Sequence, residues 1–122
     1  MPDRVLVVED EDLVRQTVVD VLTHAGFQVD EADTGDDAAK MIDADGYSLI
    51  LTDINMPGRL DGIDLAAHAR SKEPGLPIVF FSGRPDSLAR AAASGNRTAV
   101  IRKPYSPEAI IGAVRDLLSG KN

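Results

Sequence analysis

Short apolar runs alternate with amphipathic stretches along the whole chain. Continuous apolar runs are typical of strands that are covered on both faces of a parallel sheet. Four of these runs end beside a reactive or ligating side chain, and these side chains are Glu9 and Asp10, Asp53, Ser82 and Lys103. Because the carboxyl ends of parallel strands lie at one edge of the sheet, the pattern predicts that these side chains converge on a single pocket.

The predicted strands and helices follow each other in strict alternation. The predicted strands are residues 4–9, 28–32, 48–53, 78–81 and 98–101. The predicted helices are residues 12–24, 34–42, 61–70, 86–93 and 107–118. Because crossovers between parallel strands are right-handed, this order predicts a single doubly wound α/β domain with helices on both faces. The expected fold is flavodoxin-like, with five parallel strands in the order 2-1-3-4-5.

Periodicity and capping residues locate the first and last of these helices. Leu13, Val18 and Leu22 fall on one face of the first helix, which we expect to be buried. Ser106 is suited to the N-cap of the last helix, and Pro107 is suited to its first helical position. The last helix is therefore the clearest prediction from local sequence.

Composition and charge limit the classes of protein that fit. The chain has 122 residues, no linker, no repeat and a formal net charge of −7, which suits one domain and argues against a nucleic-acid-binding surface. It has no cysteine, which excludes disulfides, thiolate metal sites and thiol catalysis. No apolar run is long enough to insert in a membrane. We therefore expect a cytoplasmic domain over residues 1–122, without an output domain.

The first and third strands are neighbours at the switch point of this topology, where Glu9, Asp10 and Asp53 are expected to meet. Three carboxylates this close stay ionised together only if a cation joins them, and Mg²⁺ or Mn²⁺ suits oxygen ligands. Asp53 is placed to attack a phosphoryl donor and form an aspartyl phosphate. Lys103 and Ser82 are placed to bind the phosphoryl oxygens.

Each feature also has a purely structural interpretation when it is taken alone. Acidic residues 9–12 suit the N-terminus of a helix, Asp53 suits a turn, and Ser82–Gly83 is a common turn pair. Their joint occurrence at the ends of four strands favours the functional interpretation.

Together these motifs resemble the receiver domains of two-component response regulators over essentially the full chain. The matching segments, in the family's order and approximate spacing, are Glu9–Asp10, residues 53–57, Asp61–Gly62, Ser82–Gly83 and residues 103–105. The resemblance implies that Asp53 accepts a phosphoryl group from a histidine kinase or a histidine phosphotransfer protein. Conformational switching would then reach an output protein.

The resemblance also implies a role for each residue of the pocket. Asp10, Asp53 and the backbone carbonyl of Asn55 would ligate Mg²⁺, while Glu9 would act through a bound water. Ser82 and Lys103 would bind phosphoryl oxygens, with Ser82 standing where threonine is commoner in the family.

Five positions are expected to tune or transmit the switch. Asn55 and Arg84 occupy the two positions that adjust phosphoryl lifetime in the family. Val100 occupies the position where the family often has an aromatic side chain, so the usual aromatic readout is not expected here. Gly83 and Pro104 follow the two phosphoryl-binding residues, and the bond before Pro104 is a candidate for a cis peptide.

Two rival functions remain open at this point. A pseudo-receiver would keep the fold and bind partners without phosphorylation, and Val100 leans that way. A Mg²⁺-dependent phosphatase of the haloacid dehalogenase type would use similar chemistry, with an Asp-x-Asp nucleophile motif after the first strand and usually a cap domain. This chain has Glu-Asp-Glu-Asp at residues 9–12 in that place, and we expect no room for a cap domain. The favoured prediction is a phosphoryl acceptor and not a turnover enzyme, with kinase and output proteins as partners.

Overall fold

The computed structural model describes residues 3–95, 97–103 and 105–120. Its strands are β1 (Arg4–Val8), β2 (Gln28–Ala32), β3 (Leu49–Asp53), β4 (Ile78–Ser82) and β5 (Thr98–Arg102). Its helices are α1 (Asp12–His24), α2 (Gly35–Ala44), α3 (Gly62–Lys72), α4 (Pro85–Ala92) and α5 (Pro107–Leu118). The alternation of strand and helix agrees with the prediction, and each boundary lies within two residues of the expected one.

All four strand pairings are parallel, and the order is β2-β1-β3-β4-β5. The predicted doubly wound sheet is therefore confirmed. Val8, the last residue of β1, pairs with Thr52 of β3. The residues that follow these two positions, Glu9 and Asp53, consequently reach the same edge of the sheet.

Helices cover the sheet on both faces and divide the core into two layers. One layer joins the sheet to α1 and α5, and its buried residues include Val7, Val18, Leu22, Phe81 and Val114. The other layer joins the sheet to α2, α3 and α4, and its buried residues include Leu6, Ile50, Leu65, Phe80 and Ala91. None of the described helices has the length and apolar character needed to cross a lipid bilayer.

Side-chain caps start three of the helices, and the cap at Ser106 agrees with the prediction. The Ser106 hydroxyl accepts a hydrogen bond from the backbone N–H of Ala109 at 3.1 Å, at the start of α5. At the start of α3, Asp61 and Asp64 cap each other's backbone N–H groups at 2.9 and 3.2 Å. Thr34 caps α2 through the N–H of Asp37. These bonds satisfy N–H groups that a helix leaves without partners in its first turn.

Two expectations about burial are wrong. β5 is half-buried and not covered on both faces, because it is an edge strand of the described sheet and the short α4 leaves Val100 40% exposed. Leu13 is 84% exposed and does not join the buried face of α1. The first turn of α1 stands at the carboxyl edge of the sheet, where Leu13 borders an open cavity with Lys103 and Tyr105.

Gly62 is the first residue of α3 and packs against the backbone at the end of β3. A Cβ atom at this position would overlap the carbonyl oxygen of Asp53 and lie 2.8 Å from the Cα of Ile54. The N–H of Gly62 also donates to the carbonyl oxygen of Ile54 at 2.8 Å. Glycine is therefore required here by the close approach of two backbone segments.

Gly62→Ala is expected to lower the free energy of unfolding by about 1–3 kcal/mol, because the added methyl group forces α3 away from β3. Gly112→Ala in α5 is the matched control, since its Cβ would meet no described atom within 4 Å. We expect the control to gain up to about 1 kcal/mol from higher helix propensity. Urea unfolding of both variants measures the difference, and equal stabilities would contradict the close approach.

Candidate functional site

Asp53 is the last residue of β3 and is only 4% exposed. The ammonium group of Lys103, which follows β5, donates to Asp53 Oδ2 at 3.2 Å and to Glu9 Oε2 at 3.4 Å. Glu9 is fully buried at the end of β1. One lysine therefore bridges two buried carboxylates that come from different strands.

Asp10 completes a cluster of three carboxylates. One ligand oxygen from each of Glu9, Asp10 and Asp53 lies within 4.8 Å of the other two. The topology accounts for this convergence, since β1 and β3 are neighbours and end at the same edge. The predicted meeting of these three side chains is thus present in the structure.

The charge of the cluster is poorly compensated by the protein. Burial raises the pKa of Glu9 to about 7, although the N–H of Glu11 donates to it and Lys103 is close. Burial also raises the pKa of Asp53, against the opposing effect of Lys103. Although burial lowers the pKa of Lys103, the two carboxylates raise it above its usual value. The site therefore favours an additional cation, and its oxygen donors fit Mg²⁺.

Ser82 ends β4 and connects the site to the next helix. Its hydroxyl donates to Oδ1 of Asn55 at 2.9 Å and accepts a bond from the backbone N–H of Arg84 at 3.1 Å. The backbone N–H of Asn55 in turn donates to Asp53 Oδ1 at 3.4 Å. Asn55 thus links Ser82 to Asp53 through two hydrogen bonds.

The other predicted tuning positions are less constrained. Arg84 is the N-cap residue of α4 and is exposed. A Cβ at Gly83 would meet the Cβ of Lys103 at 4.0 Å, which is an ordinary contact, so space does not demand glycine there. Val100 lies away from the carboxylates on an exposed face of β5. Pro104 and the geometry of the bond before it lie outside the described residues.

Sequence reasoning missed two residues that support the site. Ser87 is only 2% exposed, and its hydroxyl accepts a bond from Asn55 Nδ2 at 3.2 Å. The Arg15 guanidinium donates to the carbonyl oxygen of Glu9 and to the Glu31 carboxylate, both at 2.9 Å. Ser87 has a weak sequence signal, because it lies four residues before the buried Ala91 on the same helical face.

Comparison with known protein families identifies the class. A family model described as the response regulator receiver domain matches residues 5–115. The chain belongs to the response regulator receiver domain family. Receiver domains of this kind act in two-component signalling, so the family predicted from the motifs is confirmed.

Relatives in sequence and structure agree with this assignment. The receiver domain is 34% identical to the response regulator receiver protein CpdR of Brucella abortus, covering 94% of this chain and 96% of CpdR. It is 32% identical to the transcriptional regulatory protein PdtaR of Mycobacterium tuberculosis, covering 93% of this chain but 56% of PdtaR. A receiver protein structure from Sinorhizobium medicae superposes with a TM-score of 0.91 at 29% identity, covering 99% of this chain and 98% of that one.

Proposed function

We propose that Asp53 accepts a phosphoryl group from a histidine kinase or a histidine phosphotransfer protein, in a reaction that requires Mg²⁺. One observation carries the proposal: a buried carboxylate, with its Oδ2 3.2 Å from Lys103 Nζ, sits beside two further carboxylates at the carboxyl edge of the sheet. Residues 1–122 would form one cytoplasmic receiver domain. This domain would accept the phosphoryl group and signal to an output protein, without turnover of an external substrate and without direct contact with nucleic acid or membrane.

The transfer is an in-line displacement at phosphorus. The donor carries the phosphoryl group on a histidine ring nitrogen. A carboxylate oxygen of Asp53 forms a bond to phosphorus while this P–N bond breaks, and the electron pair leaves with the donor's imidazole. Lys103 lies where it neutralises charge on the phosphoryl oxygens, because its ammonium group already contacts Asp53. The Ser82 hydroxyl supplies a hydrogen bond to one phosphoryl oxygen when it turns away from Asn55.

Glu9, Asp10 and Asp53 are the residues that would hold Mg²⁺, together with the backbone carbonyl of Asn55. The raised pKa values of Glu9 and Asp53 support this set, since they show that burial disfavours the charged carboxylates without a further cation. When bound, the ion supplies charge neutralisation for the phosphoryl oxygens.

Magnesium is expected to stabilise the fold. In chelated buffer the crowded carboxylates destabilise the native state, so adding Mg²⁺ raises the free energy of unfolding by about 1.4 kcal/mol per tenfold excess over its dissociation constant. Asp10→Asn is expected to remove most of this gain. Asp33→Asn, an exposed aspartate after β2, is the matched control and should keep it. Thermal unfolding with and without millimolar MgCl₂ measures the effect, and equal gains in both variants would exclude Asp10 as a ligand.

The function itself is tested by intact-protein mass spectrometry after incubation with acetyl phosphate. We expect one phosphoryl adduct in the presence of Mg²⁺ and none in the presence of a chelator. An adduct that forms equally well without a divalent cation would contradict the proposed reaction.

One observation favours a second candidate function. Val100 is 40% exposed on β5 and stands where the family often has an aromatic side chain, which suits a module that binds partners without phosphorylation. Circular dichroism of the same samples shows whether a protein that forms no adduct is folded. A folded protein that takes up no phosphoryl group from acetyl phosphate or from phosphorylated kinase supports the binding module.

A further inference from the structure

A chain of side-chain hydrogen bonds leads from Ser82 into the first turn of α4. The Ser82 hydroxyl donates to Asn55 Oδ1 at 2.9 Å, and Asn55 Nδ2 donates to the Ser87 hydroxyl at 3.2 Å. Ser82 and Ser87 are both almost fully buried, at 1% and 2% exposure. Asn55, which lies between them, is exposed. The two buried hydroxyl groups are costly to leave unpaired, so their hydrogen bonds hold the Asn55 amide in one orientation.

The start of α4 depends on this chain. α4 has 8 residues and is the shortest of the helices in the described part of the chain. Within that part, the side chain of its N-cap residue, Arg84, makes no capping hydrogen bond. The backbone N–H of Arg84 instead donates to the Ser82 hydroxyl at 3.1 Å, and Ser87 is the third residue of the helix. Ser82 thus holds the helix start directly through Arg84 and indirectly through Asn55 and Ser87.

The Ser82 hydroxyl cannot serve Asn55 and a phosphoryl oxygen together. A serine hydroxyl carries one hydrogen and donates one bond. When it donates to a phosphoryl oxygen on Asp53, Asn55 Oδ1 loses its donor. The Asn55 amide is then free to reorient, and the buried Ser87 hydroxyl loses the partner that fixes the first turn of α4.

We propose that Ser87 is a positioning residue that, through the Asn55 side chain, transmits the orientation of the Ser82 hydroxyl to α4. The inference rests on the proposed function, because it takes phosphorylation of Asp53 as the event that turns Ser82. It assigns the readout of the switch to a polar route through α4, in a chain that has Val100 at the position expected for an aromatic readout.

The relay is first tested without phosphorylation, by amide hydrogen exchange of Leu88. The N–H of Leu88 donates to the carbonyl oxygen of Arg84 at 3.1 Å and reports the first closed turn of α4. Ser87→Ala should speed its exchange by roughly threefold to tenfold, the effect of losing one hydrogen bond. Ser82→Ala should speed it at least as much, because it also removes the acceptor for the backbone N–H of Arg84. The double variant should fall well short of the product of the two factors, because both changes break one chain. If the double variant speeds the exchange of Leu88 by the full product of the two factors, the relay is overturned.

Ser94→Ala is the matched control at the other end of α4. The Ser94 hydroxyl donates to the carbonyl oxygen of Ala91 at 2.7 Å and takes no part in the chain from Ser82. This variant should leave the Leu88 exchange rate within about twofold of wild type. That change is smaller than the roughly threefold to tenfold increase expected from the loss of one hydrogen bond. Acceleration as large as in Ser87→Ala would reduce the effect to general loosening of α4 and overturn the proposal.

The second arm adds acetyl phosphate and Mg²⁺ and measures adduct mass and Leu88 exchange on the same samples. Wild type and Ser94→Ala should form the adduct and show faster exchange at Leu88. Ser87→Ala should form the adduct and show no further acceleration, a split between uptake and response that a merely structural serine would not give. Acceleration of wild-type size in phosphorylated Ser87→Ala overturns the relay. If wild type forms no adduct, the proposed function fails, while the unphosphorylated arm still decides whether the three side chains are coupled.

Discussion

An Asp53→Asn variant is expected to form no phosphoryl adduct under conditions in which the wild-type receiver domain forms one. An asparagine amide keeps the shape of the side chain but lacks the anionic oxygen that attacks phosphorus. The variant should remain folded, because burial already raises the pKa of Asp53 and so disfavours its charge. Lys103 also retains its contact with Glu9. Intact mass after acetyl phosphate treatment, with circular dichroism of the same sample, measures both expectations.

Asp116→Asn provides the control for this loss. Asp116 lies exposed on α5 and makes the same chemical change possible far from the carboxylate cluster. It should form the adduct at the wild-type rate. Survival of the adduct in folded Asp53→Asn, and its loss only when Asp10 is changed as well, would move the acceptor to Asp10.

Lys103→Ala is expected to slow phosphoryl uptake by about 100-fold, the size of effect seen when one preorganised donor to a developing oxyanion is removed. Among the residues that the structure describes, Lys103 contacts both Glu9 and Asp53 through its ammonium group. Its loss should raise the pKa of both carboxyl groups further, because an opposite charge favours the ionised form. The time course of adduct formation, followed by intact mass, measures the rate.

Arg102→Ala is the matched control for the lysine. Arg102 precedes Lys103 in the chain, carries the same charge and is exposed at the end of β5. Its removal should leave the uptake rate within about threefold, since an exposed charge is screened by solvent. Equal losses in the two variants would assign the effect to the net charge of the surface and not to the contact with Asp53.

The sheet was predictable because the same local pattern, a short apolar run, recurs in its strands. β1, β3 and β4 each contain three or four consecutive apolar residues, which is the pattern of strands covered on both faces. Right-handed crossovers then leave few possible orders for five parallel strands. β5 escaped this logic because an edge strand can carry the same apolar residues while one of its faces stays open, as Val100 shows.

The acidic part of the site follows from the same reasoning. Glu9, Asp10 and Asp53 occupy strand ends, and topology alone brings them together. The hydrogen-bond chain beyond them was not predictable, because it depends on the rotamers of Asn55 and Ser87 and on the angle at which α4 leaves β4. In sequence, Ser87 is one polar residue in a helix rich in alanine, and nothing in its spacing indicates an amide partner 32 positions earlier.

The lack of cysteine, which first served only to exclude disulfides and thiol chemistry, also makes the domain convenient for spectroscopy. A single engineered cysteine would be the one thiol among these 122 residues, so a fluorophore or spin label would attach at a known place. Arg90, exposed near the end of α4, is a suitable attachment point that leaves the carboxylates and the serines untouched. Labelled in this way, the domain would signal movement of one helix in real time, in the presence of any candidate kinase or output protein.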